Sequence, residues 1–476
     1  MTIAELSDIS DYGGLKVTVL GLGTFGGGVG AATFLAERGA IVTVTDLRSE
    51  TQLQDSVKQL ADVPLAGLFL GSHPDAAVVD AQLLVVNPAV KPDCEIVERC
   101  RRDGVIITSE IGLFLHHNPA PVVAVTGSNG KSTTAALTCQ MLQAHVAATG
   151  HSVWLGGNIG HSLLPSIGDI QPDDIVVLEL SSFQLHALRA SGFAPEVAVV
   201  TNFAPNHLDW HRTLEHYRTA KQVLLQRQLR NHMAVLPTDL DEADGWRVRG
   251  QCLRFGIQDD GEDGVFFDSG SLILRRGRIE DAVRMDQPAQ IPGAHNRQNI
   301  AAAACAAWSI GADPNGFSQA LANYEPLAHR LQLVAHGRGL RFYNDSLATT
   351  PESAIAALKS FSQPCVIIAG GSDKGSDLRP LAEAIQSRAV AAVLIGETAS
   401  VLADHLSALT MLDGNQRPCR VHVATDFADA FSLAVAVAPQ GSIVLLSPGC
   451  ASFGWFKDFR DRGDRFRNLA LQWLTE

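Results

Sequence analysis

The sequence predicts an α/β protein of three domains. Its 476 residues are too many for one hydrophobic core, and usual domain sizes divide this length into about three. Short apolar runs rich in β-formers alternate with helical patterns, which indicates parallel sheets. Two glycine-rich loops, each between a predicted strand and a predicted helix, indicate two separate phosphate-type sites.

The first predicted domain covers residues 1–119. The strands "KVTVLGLG", "IVTVTD" and "LLVVNPAV" alternate with helical stretches such as "GVGAATFLAERGA". Pro119 and Pro121 then mark a linker, and the central domain is predicted at 120–325. Its strands are "VVAVTG", "DIVVLELSS" and "VAVVTNF", and the polar stretch from Thr238 to Asp286 predicts hairpin strands and turns. The alternation restarts in the third domain, 326–476, with "CVIIAGG" and "SIVLLSPG".

Composition disfavours several classes of protein. The net charge of −13 argues against nucleic-acid binding, which needs clustered Lys and Arg. No apolar run approaches the roughly 18 residues of a membrane span, and the polar N-terminus does not resemble a signal peptide. The eight cysteines include no Cys-x-x-Cys pair, which is typical of a reducing compartment. We therefore expect a cytoplasmic protein without membrane insertion or nucleic-acid partners.

The stretch "VTGSNGKST", Val125–Thr133, has the features of a phosphate-binding loop. Its N–H groups and the dipole of the following helix can face phosphate oxygens. Lys131 can neutralise phosphate charge, and the Ser132 hydroxyl can join a Mg²⁺ shell. Val125 stands where the strict Walker pattern has its first glycine, so a simple glycine turn before a helix is the alternative.

The other loop, "GLGTFG" at Gly21–Gly26, satisfies the dinucleotide pattern G-x-G-x-x-G. Asp46 ends the next strand about twenty residues later, where an acid can bind a ribose hydroxyl. Taken alone, this pattern predicts a nicotinamide-dependent oxidoreductase, and close packing of a strand and a helix is the simpler alternative. Because the chain also carries the phosphate-type loop at Val125–Thr133, the pattern at Gly21–Gly26 equally fits another nucleotide or a nucleotide-linked substrate.

Further polar residues follow the predicted central strands. Glu179 ends "IVVLE", where a carboxylate can hold Mg²⁺ on a nucleotide or simply cap the next helix. His207 and His211 have i, i+4 spacing, but no Cys or acidic partner completes a zinc pattern. By itself, Lys221 is typical of a solvated lysine on a helix.

Nine segments, taken in order, resemble the Mur ligase family over nearly the whole chain. The segments "LELSSFQL" and "SPGCAS" favour the branch of the family that adds D-glutamate. The complete set is "TGSNGKST", "GGNIG", "LELSSFQL", "TNFAPNHLDWH", "YRTAK", "GAHNRQN", "AHRLQ", "YNDS" and "LLSPGCASFGWFKDFRDRGDRF".

The resemblance implies one task for each domain. A Rossmann-like N-terminal domain binds the UDP part of UDP-N-acetylmuramoyl-L-alanine, a central P-loop ATPase-like domain with a parallel sheet binds ATP, and a Rossmann-like C-terminal domain binds glutamate. The implied reaction phosphorylates the substrate carboxylate and lets the amino acid attack the acyl phosphate, releasing ADP and phosphate. Two Mg²⁺ ions would stabilise the charge of the transferring group. We expect a monomer that serves peptidoglycan synthesis.

The resemblance also implies roles for single residues. Catalysis is assigned to Lys131, Glu179, His207 and Lys221. Metal binding is assigned to Ser132, Glu179, His207 and Lys221, the last carbamylated by CO₂. ATP contacts are assigned to Gly127, Ser128, Asn129, Gly130, Lys131, Ser132, Thr133, Asn299, Arg330 and Asp345. UDP-substrate contacts are assigned to Thr24, Asp46, Arg48 and Asn158. Glutamate contacts are assigned to Thr349, Lys374, Ser452 and Phe459.

Two departures from the family pattern concern the amino-acid pocket. "NDSLATT" has Leu347 where relatives usually have a lysine and Thr350 where they have an asparagine, and "SFGWF" has Gly454 where many have an aspartate. A cation and an anion are thus missing from loops predicted to face one site. We expect D-glutamate as the substrate, with L-glutamate as the open alternative. A non-catalytic nucleotide sensor is disfavoured because all four predicted catalytic residues are present.

Overall fold

Two compact units make up the protein, whose computed structural model describes residues 6–9, 11–91, 93–160, 162–240, 245–259, 261–268, 270–284, 293–373, 375–412 and 419–476. One unit comprises Met1–Asp286 with Gln298–Leu321, and the other comprises Gln287–Arg297 with Ala322–Glu476. Across the described residues the first unit contains two β-sheets and the second contains one. The predicted three-domain α/β class is confirmed, whereas the boundaries at 119 and 325 stay predictions.

The N-terminal sheet is parallel and has the strand order β3-β2-β1-β4-β5. Because the order reverses between β1 and β4, a crevice opens at the carboxyl ends of these strands, where open α/β sheets bind ligands. The glycine loop Gly21–Gly26 follows β1 at this crevice. The strands are β1 (Lys16–Leu20), β2 (Ile41–Asp46), β3 (Leu65–Leu70), β4 (Leu83–Val86) and β5 (Ile106–Thr108), and the helices are α1 (Gly27–Glu37), α2 (Gln54–Gln59), α3 (Glu95–Arg102) and α4 (Glu110–His117).

The central sheet has nine strands in the order β14-β13-β12-β11-β10-β9-β6-β8-β7. Its strands run parallel from β7 to β12, and β13 and β14 add an antiparallel meander at one end. The hairpins predicted between Thr238 and Asp286 are therefore confirmed, and they make this sheet mixed. The strands are β6 (Val122–Thr126), β7 (Val153–Gly157), β8 (Ile175–Glu179), β9 (Val197–Val200), β10 (Met233–Pro237), β11 (Gln251–Gly256), β12 (Gly264–Asp268), β13 (Ser271–Arg276) and β14 (Ile279–Arg284). The helices are α5 (Lys131–Val146), α6 (Ser182–Ala187), α7 (Leu208–His211), α8 (Leu214–Gln226), α9 (Ala294–Ser309) and α10 (Phe317–Ala322).

These two sheets belong to one unit because a continuous hydrophobic cluster joins them. Val44 of the N-terminal sheet and Leu178 of the central sheet are fully buried members of this cluster. A polar contact adds to it: Ser162, after β7, donates a hydrogen bond to the carboxylate of Glu110 at the start of α4. A Cβ on Gly30 of α1 would lie 2.9 Å from the Ser162 hydroxyl, so the helix approaches this residue closely.

The sheet of the second unit has the order β15-β16-β20-β17-β18-β19, and only β15 is antiparallel to its neighbour among these strands. Alternating residues of β17 face two clusters, with Ile367 on one side and Ile368 on the other. The strands are β15 (Gln332–Gly337), β16 (Leu340–Asn344), β17 (Cys365–Gly370), β18 (Ala389–Ile395), β19 (Arg420–Val423) and β20 (Ile443–Leu446). The helices are α11 (Pro351–Lys359), α12 (Arg379–Arg388), α13 (Ala399–Leu412), α14 (Phe427–Val437) and α15 (Phe459–Thr475). No helix within the described parts of the chain is long and apolar enough to cross a membrane.

Candidate active site

The predicted phosphate loop connects β6 to α5 and is held from behind by the segment after β9. Gly127 has φ +149°, and a Cβ at this position would lie 1.9 Å from the Thr201 hydroxyl oxygen. Asn202 accepts the Ser128 N–H through its backbone oxygen at 3.1 Å and the Asn129 N–H through its side-chain oxygen at 2.9 Å. Two loop N–H groups that the sequence assigned to phosphate are thus engaged by the protein itself.

The remaining donors come from the first turn of α5. The N–H groups of Lys131, Ser132 and Thr133 have no helical carbonyl to bond, because the first turn of any helix lacks one. The ammonium group of Lys131 donates to the Ser128 carbonyl at 3.1 Å, which keeps it beside the loop. Asn299 also lies here, since a Cβ on Gly130 would approach its side-chain oxygen to 2.3 Å. This turn offers an anion a set of N–H groups, a helix dipole and a cation.

Glu179 ends β8 next to the phosphate loop and is almost completely buried. Its Oε1 atom accepts a hydrogen bond from the Asn158 amide at 2.8 Å. Its Oε2 atom is buried and has no hydrogen-bond partner among the described residues. A buried carboxylate oxygen without a partner is costly unless a cation or a proton reaches it. Carboxylate and hydroxyl oxygens are the ligands that Mg²⁺ prefers, so Glu179 together with Ser132 fits such an ion.

Lys221 is buried in α8, not exposed to solvent as an isolated helix lysine would be. Its Nζ atom donates to the Gly127 carbonyl at 2.7 Å and lies 4.6 Å from the centroid of the Tyr217 ring. Burial lowers the pKa of this amine well below its ordinary value, and the nearby Lys131 charge lowers it further, while Glu179 raises it. Burial therefore favours the uncharged form of this amine, which lies against the back of the phosphate loop.

His207 precedes α7 and is exposed, with a left-handed backbone at φ +53°. The second histidine of the spaced pair, His211, is buried, and its Nε2 atom forms a 2.9 Å hydrogen bond with the Ser182 hydroxyl. Burial lowers the pKa of His211 to about 3, and the neighbouring His216 contributes. No group of three or more His, Cys, Asp or Glu is arranged to hold a metal in the described parts of the chain. The predicted magnesium ligands include only two residues of these types.

The predicted nucleotide-substrate residues lie at two places in the first unit. Asp46 is buried at the end of β2, and its carboxylate accepts the N–H of Gly23 at 3.0 Å and the N–H of Arg48 at 2.9 Å. Thr24 and Arg48 are exposed near this carboxylate. Asn158, in contrast, is bonded to Glu179 of the central sheet. Asp46 therefore orders the glycine loop in addition to any ligand that it binds.

Asn87 is a residue of this crevice that the sequence analysis did not select. It follows β4, and its side-chain nitrogen lies 2.9 Å from where a Cβ on Gly23 would stand. Its position at the end of the apolar run "LLVVN" was the available signal, because ligand-binding residues of parallel sheets collect at strand ends.

Arg330 and Asp345 belong to the second unit. Arg330 lies between two residues with left-handed backbones, His329 at φ +65° and Leu331 at φ +42°. Asp345 accepts hydrogen bonds from the Leu331 N–H at 3.1 Å and the Ser447 hydroxyl at 2.6 Å. Burial raises the pKa of Asp345 to about 7. Asp345 thus holds the loop that presents Arg330, and its own carboxyl group is inside the protein.

Thr349, Ser452 and Phe459, the described members of the predicted glutamate set, also lie in the second unit, on chain segments that hydrogen bonds tie together. Ser372, after β17, donates its N–H to Ala451 at 2.9 Å and its hydroxyl to the Phe453 carbonyl at 3.0 Å, on either side of Ser452. Ser346 lies a few residues before Thr349 in the sequence, and its hydroxyl donates to the Phe459 carbonyl at 2.8 Å. Lys374 lies outside the described residues. Gly454 has φ +99°, a conformation that favours glycine at this position.

Arg462 connects these loops and was not selected from the sequence. This fully buried guanidinium donates to the Ser346 hydroxyl at 2.9 Å, to the Ser346 carbonyl at 2.8 Å and to the Cys450 carbonyl at 3.2 Å. Burial lowers its pKa to about 10. A buried arginine that bonds two loop carbonyls fixes the loops relative to each other. Its place in the motif "FRDRGDRF" gave a resemblance to the family but no role for the residue.

Three family models match the chain in succession. They are a Mur ligase MurD-like N-terminal domain at residues 15–109, a Mur ligase middle domain at 125–307 and a Mur ligase glutamate ligase domain at 329–450. Together they span most of the sequence.

Relatives match over nearly the whole length of both chains. The UDP-N-acetylmuramoylalanine--D-glutamate ligase of Pelotomaculum thermopropionicum is 36% identical over 467 residues, covering 97% of this chain and 99% of its own. The ligase of the same name from a Roseiflexus species is 37% identical, covering 96% and 98%.

Solved structures of lower identity share the fold. A crystal structure of MurF from Acinetobacter baumannii has a TM-score of 0.57 at 18% identity and covers 91% of each chain. MurF from Thermotoga maritima, solved with ADP, has a TM-score of 0.54 at 17% identity and covers 91% of this chain and 95% of its own. The family models and the relatives of 36–37% identity show a ligase, not the nicotinamide-dependent oxidoreductase that the N-terminal loop alone predicts. The chain belongs to the Mur ligase family, whose members are ATP-dependent ligases that form amide bonds.

Proposed function

We propose that this chain joins D-glutamate to UDP-N-acetylmuramoyl-L-alanine in peptidoglycan synthesis, through an acyl phosphate formed with ATP. The relatives that match over nearly the whole chain are named for D-glutamate ligation. The observation that carries the proposal is the buried Oε2 of Glu179 beside the phosphate loop, for which the described part of the chain supplies no hydrogen-bond donor. That arrangement supports a nucleotide-bound cation in the central domain.

The first step transfers the γ-phosphoryl group of ATP to the carboxylate of the bound substrate. The P–O bond to ADP breaks as a P–O bond to the carboxylate oxygen forms, which turns a poor electrophile into an activated acyl group. Lys131 and the first turn of α5 would stabilise the charge on the phosphoryl oxygens. When bound, two Mg²⁺ ions would neutralise further phosphate charge. Ser132 and Glu179 would hold the ion linked to ATP, His207 would serve the second, and carbamylated Lys221 would supply a further oxygen ligand.

The role proposed for Lys221 follows from its burial, which lowers the pKa of its amine. A neutral amine can attack CO₂, forming an N–C bond and releasing one proton, and the resulting carbamate presents oxygens in place of an ammonium group. The lowered pKa of Lys221 supports this reaction, because an ammonium nitrogen has no lone pair with which to attack. An oxygen-bearing side chain at this place would also be compatible with a nearby cation, whereas a charged lysine would repel it.

In the second step the amino group of D-glutamate attacks the acyl carbon. The tetrahedral intermediate collapses with cleavage of the C–O bond to phosphate, which leaves an amide and inorganic phosphate. We assign the amino acid to the tied loops of the second unit, with Lys374, Thr349, Ser452 and Phe459 as its contacts. Glutamate brings two carboxylates, which need cationic or hydroxyl partners when they are removed from water.

A component-omission assay tests this function. Phosphate release is measured with ATP and UDP-N-acetylmuramoyl-L-alanine in the presence of single D- and L-amino acids, and the product is identified by mass spectrometry. We expect release to require all three substrates and to be fastest with D-glutamate. Faster product formation with L-glutamate would overturn the stereochemical assignment, and release that needs no amino acid would overturn the ligase assignment.

A further inference from the structure

The segment that presents His207 has an unusual backbone at both of its ends. His207 before α7 and Arg212 after it have φ values of +53° and +63°. Residues other than glycine keep positive φ only where their surroundings hold them, and such residues cluster at functional sites. Contacts under α7 must therefore fix this single helical turn.

His211 supplies the polar contact under that turn. Its side chain is 1% exposed, and its Nε2 atom lies 2.9 Å from the hydroxyl of Ser182, which is 3% exposed. The N–H of His211 also donates to the His207 carbonyl at 2.9 Å, which closes the turn. His211 is thus bonded to His207 through the backbone and to α6 through its ring.

Ser182, the other partner of this hydrogen bond, lies close to Glu179 in the sequence. Ser182 begins α6 immediately after the "LELS" segment in which Glu179 ends β8. The ring of Phe183 lies between the two histidines, at 5.0 Å from the His207 ring centroid and 5.6 Å from that of His211, stacked on the latter at 7°. The buried hydrogen bond between His211 and Ser182 therefore joins the chain segments that carry His207 and Glu179.

We propose that His211 is a positioning residue that, through Ser182, sets the placement of His207 relative to Glu179. This inference rests on the proposed function, in which His207 and Glu179 are both metal ligands. His211 touches neither substrate nor metal in this account. It holds the strained turn so that the His207 ring is presented in one orientation, as partners of metal ligands do.

Mn²⁺ binding to the full chain in the presence of ADP, followed by electron paramagnetic resonance, tests the inference without an activity measurement. His211→Phe keeps the stacking on Phe183 and removes the hydrogen bond. We expect it to weaken Mn²⁺ binding by about 10- to 100-fold, the usual effect of losing a partner of a metal ligand. His186→Phe is the matched control, because the His186 ring lies in the same aromatic cluster but has no described hydrogen bond with the Ser182 hydroxyl. It should bind Mn²⁺ as the unaltered chain does.

One further variant, His207→Ala, separates the possible failures. If His207→Ala binds Mn²⁺ with unaltered affinity, the metal assignment in the proposed function is wrong. If His207→Ala weakens binding but His211→Phe does not, the metal assignment stands and the positioning role is overturned.

Ser182→Ala provides an independent route should His211→Phe fail to fold, as judged from its melting temperature. It removes the other partner of the same hydrogen bond and should weaken Mn²⁺ binding to a similar extent. His211→Gln, whose amide can still bond Ser182, should recover part of the affinity. Unaltered affinity in Ser182→Ala would contradict the proposal.

Discussion

At the scale of single residues, the candidate site combines three side chains around the phosphate loop, those of Lys131, Glu179 and Lys221. Burial and the nearby charge of Lys131 lower the pKa of Lys221 well below its ordinary value, while Glu179 keeps one oxygen that no described residue satisfies. Lys131 remains beside the phosphate loop through the Ser128 carbonyl. Each side chain suits a different ligand: Lys131 a phosphate, Glu179 a cation and Lys221 CO₂.

Lys131→Ala should lower turnover by about 10²- to 10⁴-fold, because a preorganised charge that meets the transferring phosphoryl group is lost. Binding of UDP-N-acetylmuramoyl-L-alanine should persist, since the N-terminal crevice is built from other residues. Steady-state phosphate release and calorimetric titration with the UDP substrate measure the two effects. A near-normal turnover would remove Lys131 from the mechanism.

Lys221→Ala should be almost inactive and should recover part of its activity with added short carboxylates such as formate or acetate, which supply the missing oxygen ligand. Lys221→Arg should not recover, because a guanidinium stays cationic and cannot form the carbamate. Activity is measured against carboxylate concentration for both variants. Equal behaviour of the two variants across the titration would contradict the carbamate.

At the scale of secondary-structure elements, the contact of α1 and α4 with Ser162 includes a carboxyl group whose ionised form is disfavoured by burial. Glu110 begins α4 and accepts a hydrogen bond from Ser162, yet burial raises its pKa from 4.5 to about 7. The folded state therefore binds this proton more tightly than the unfolded state does. Between pH 4.5 and 7 the stability contributed by Glu110 falls as pH rises, and above that range the full penalty remains.

Glu110→Gln should stabilise the protein at pH 8 by about 2 kcal/mol, because a neutral amide can bond Ser162 without burying a charge. The gain should shrink steadily when the pH is lowered towards 5. Urea unfolding of both chains across this pH range measures it. Glu37→Gln, which alters an exposed carboxylate on α1, is the control and should show no such trend. A gain that does not depend on pH would contradict the raised pKa.

The sequence predicted local elements well and long-range polar contacts poorly. The strand, loop and helix around Lys131 and the hairpins of the central sheet follow from patterns of nearby residues. Two sets of hydrogen bonds depend instead on how distant segments pack together, which hydrophobic periodicity does not predict. They are the bonds from the N–H groups of Ser128 and Asn129 to Asn202, and the bond from Ser162 to Glu110. The burial of Lys221 was likewise not predicted from its own helix, and the family resemblance implied only a carbamylated lysine beside a metal.

At the scale of the whole molecule, the predicted tasks fall on different parts of the chain. The phosphate loop and the crevice at Asp46 belong to the first unit, while the tied loops around Ser452 belong to the second. A variant confined to the second unit should therefore alter the amino-acid step alone. Arg330 and Asp345, also in the second unit, are the exceptions that the ATP assignment requires.

Lys374→Ala should raise the KM for glutamate strongly and leave the affinities for ATP and the UDP substrate near normal, because only glutamate brings the carboxylates that this cation would meet. Leu347, in place of a lysine, cannot compensate. Lys359→Ala, at an exposed lysine of the same unit, is the control and should leave all three constants unaltered. An unaltered KM for glutamate in Lys374→Ala would place the carboxylate partner elsewhere.

Oxygen transfer from substrate to phosphate tests the central claim, an acyl phosphate on the way to the D-glutamyl amide. UDP-N-acetylmuramoyl-L-alanine labelled with ¹⁸O in its alanine carboxylate is incubated with ATP and D-glutamate, and the phosphate and product are analysed by mass spectrometry. The account predicts that each amide formed releases one phosphate carrying one ¹⁸O atom. Amide formation with unlabelled phosphate would contradict it.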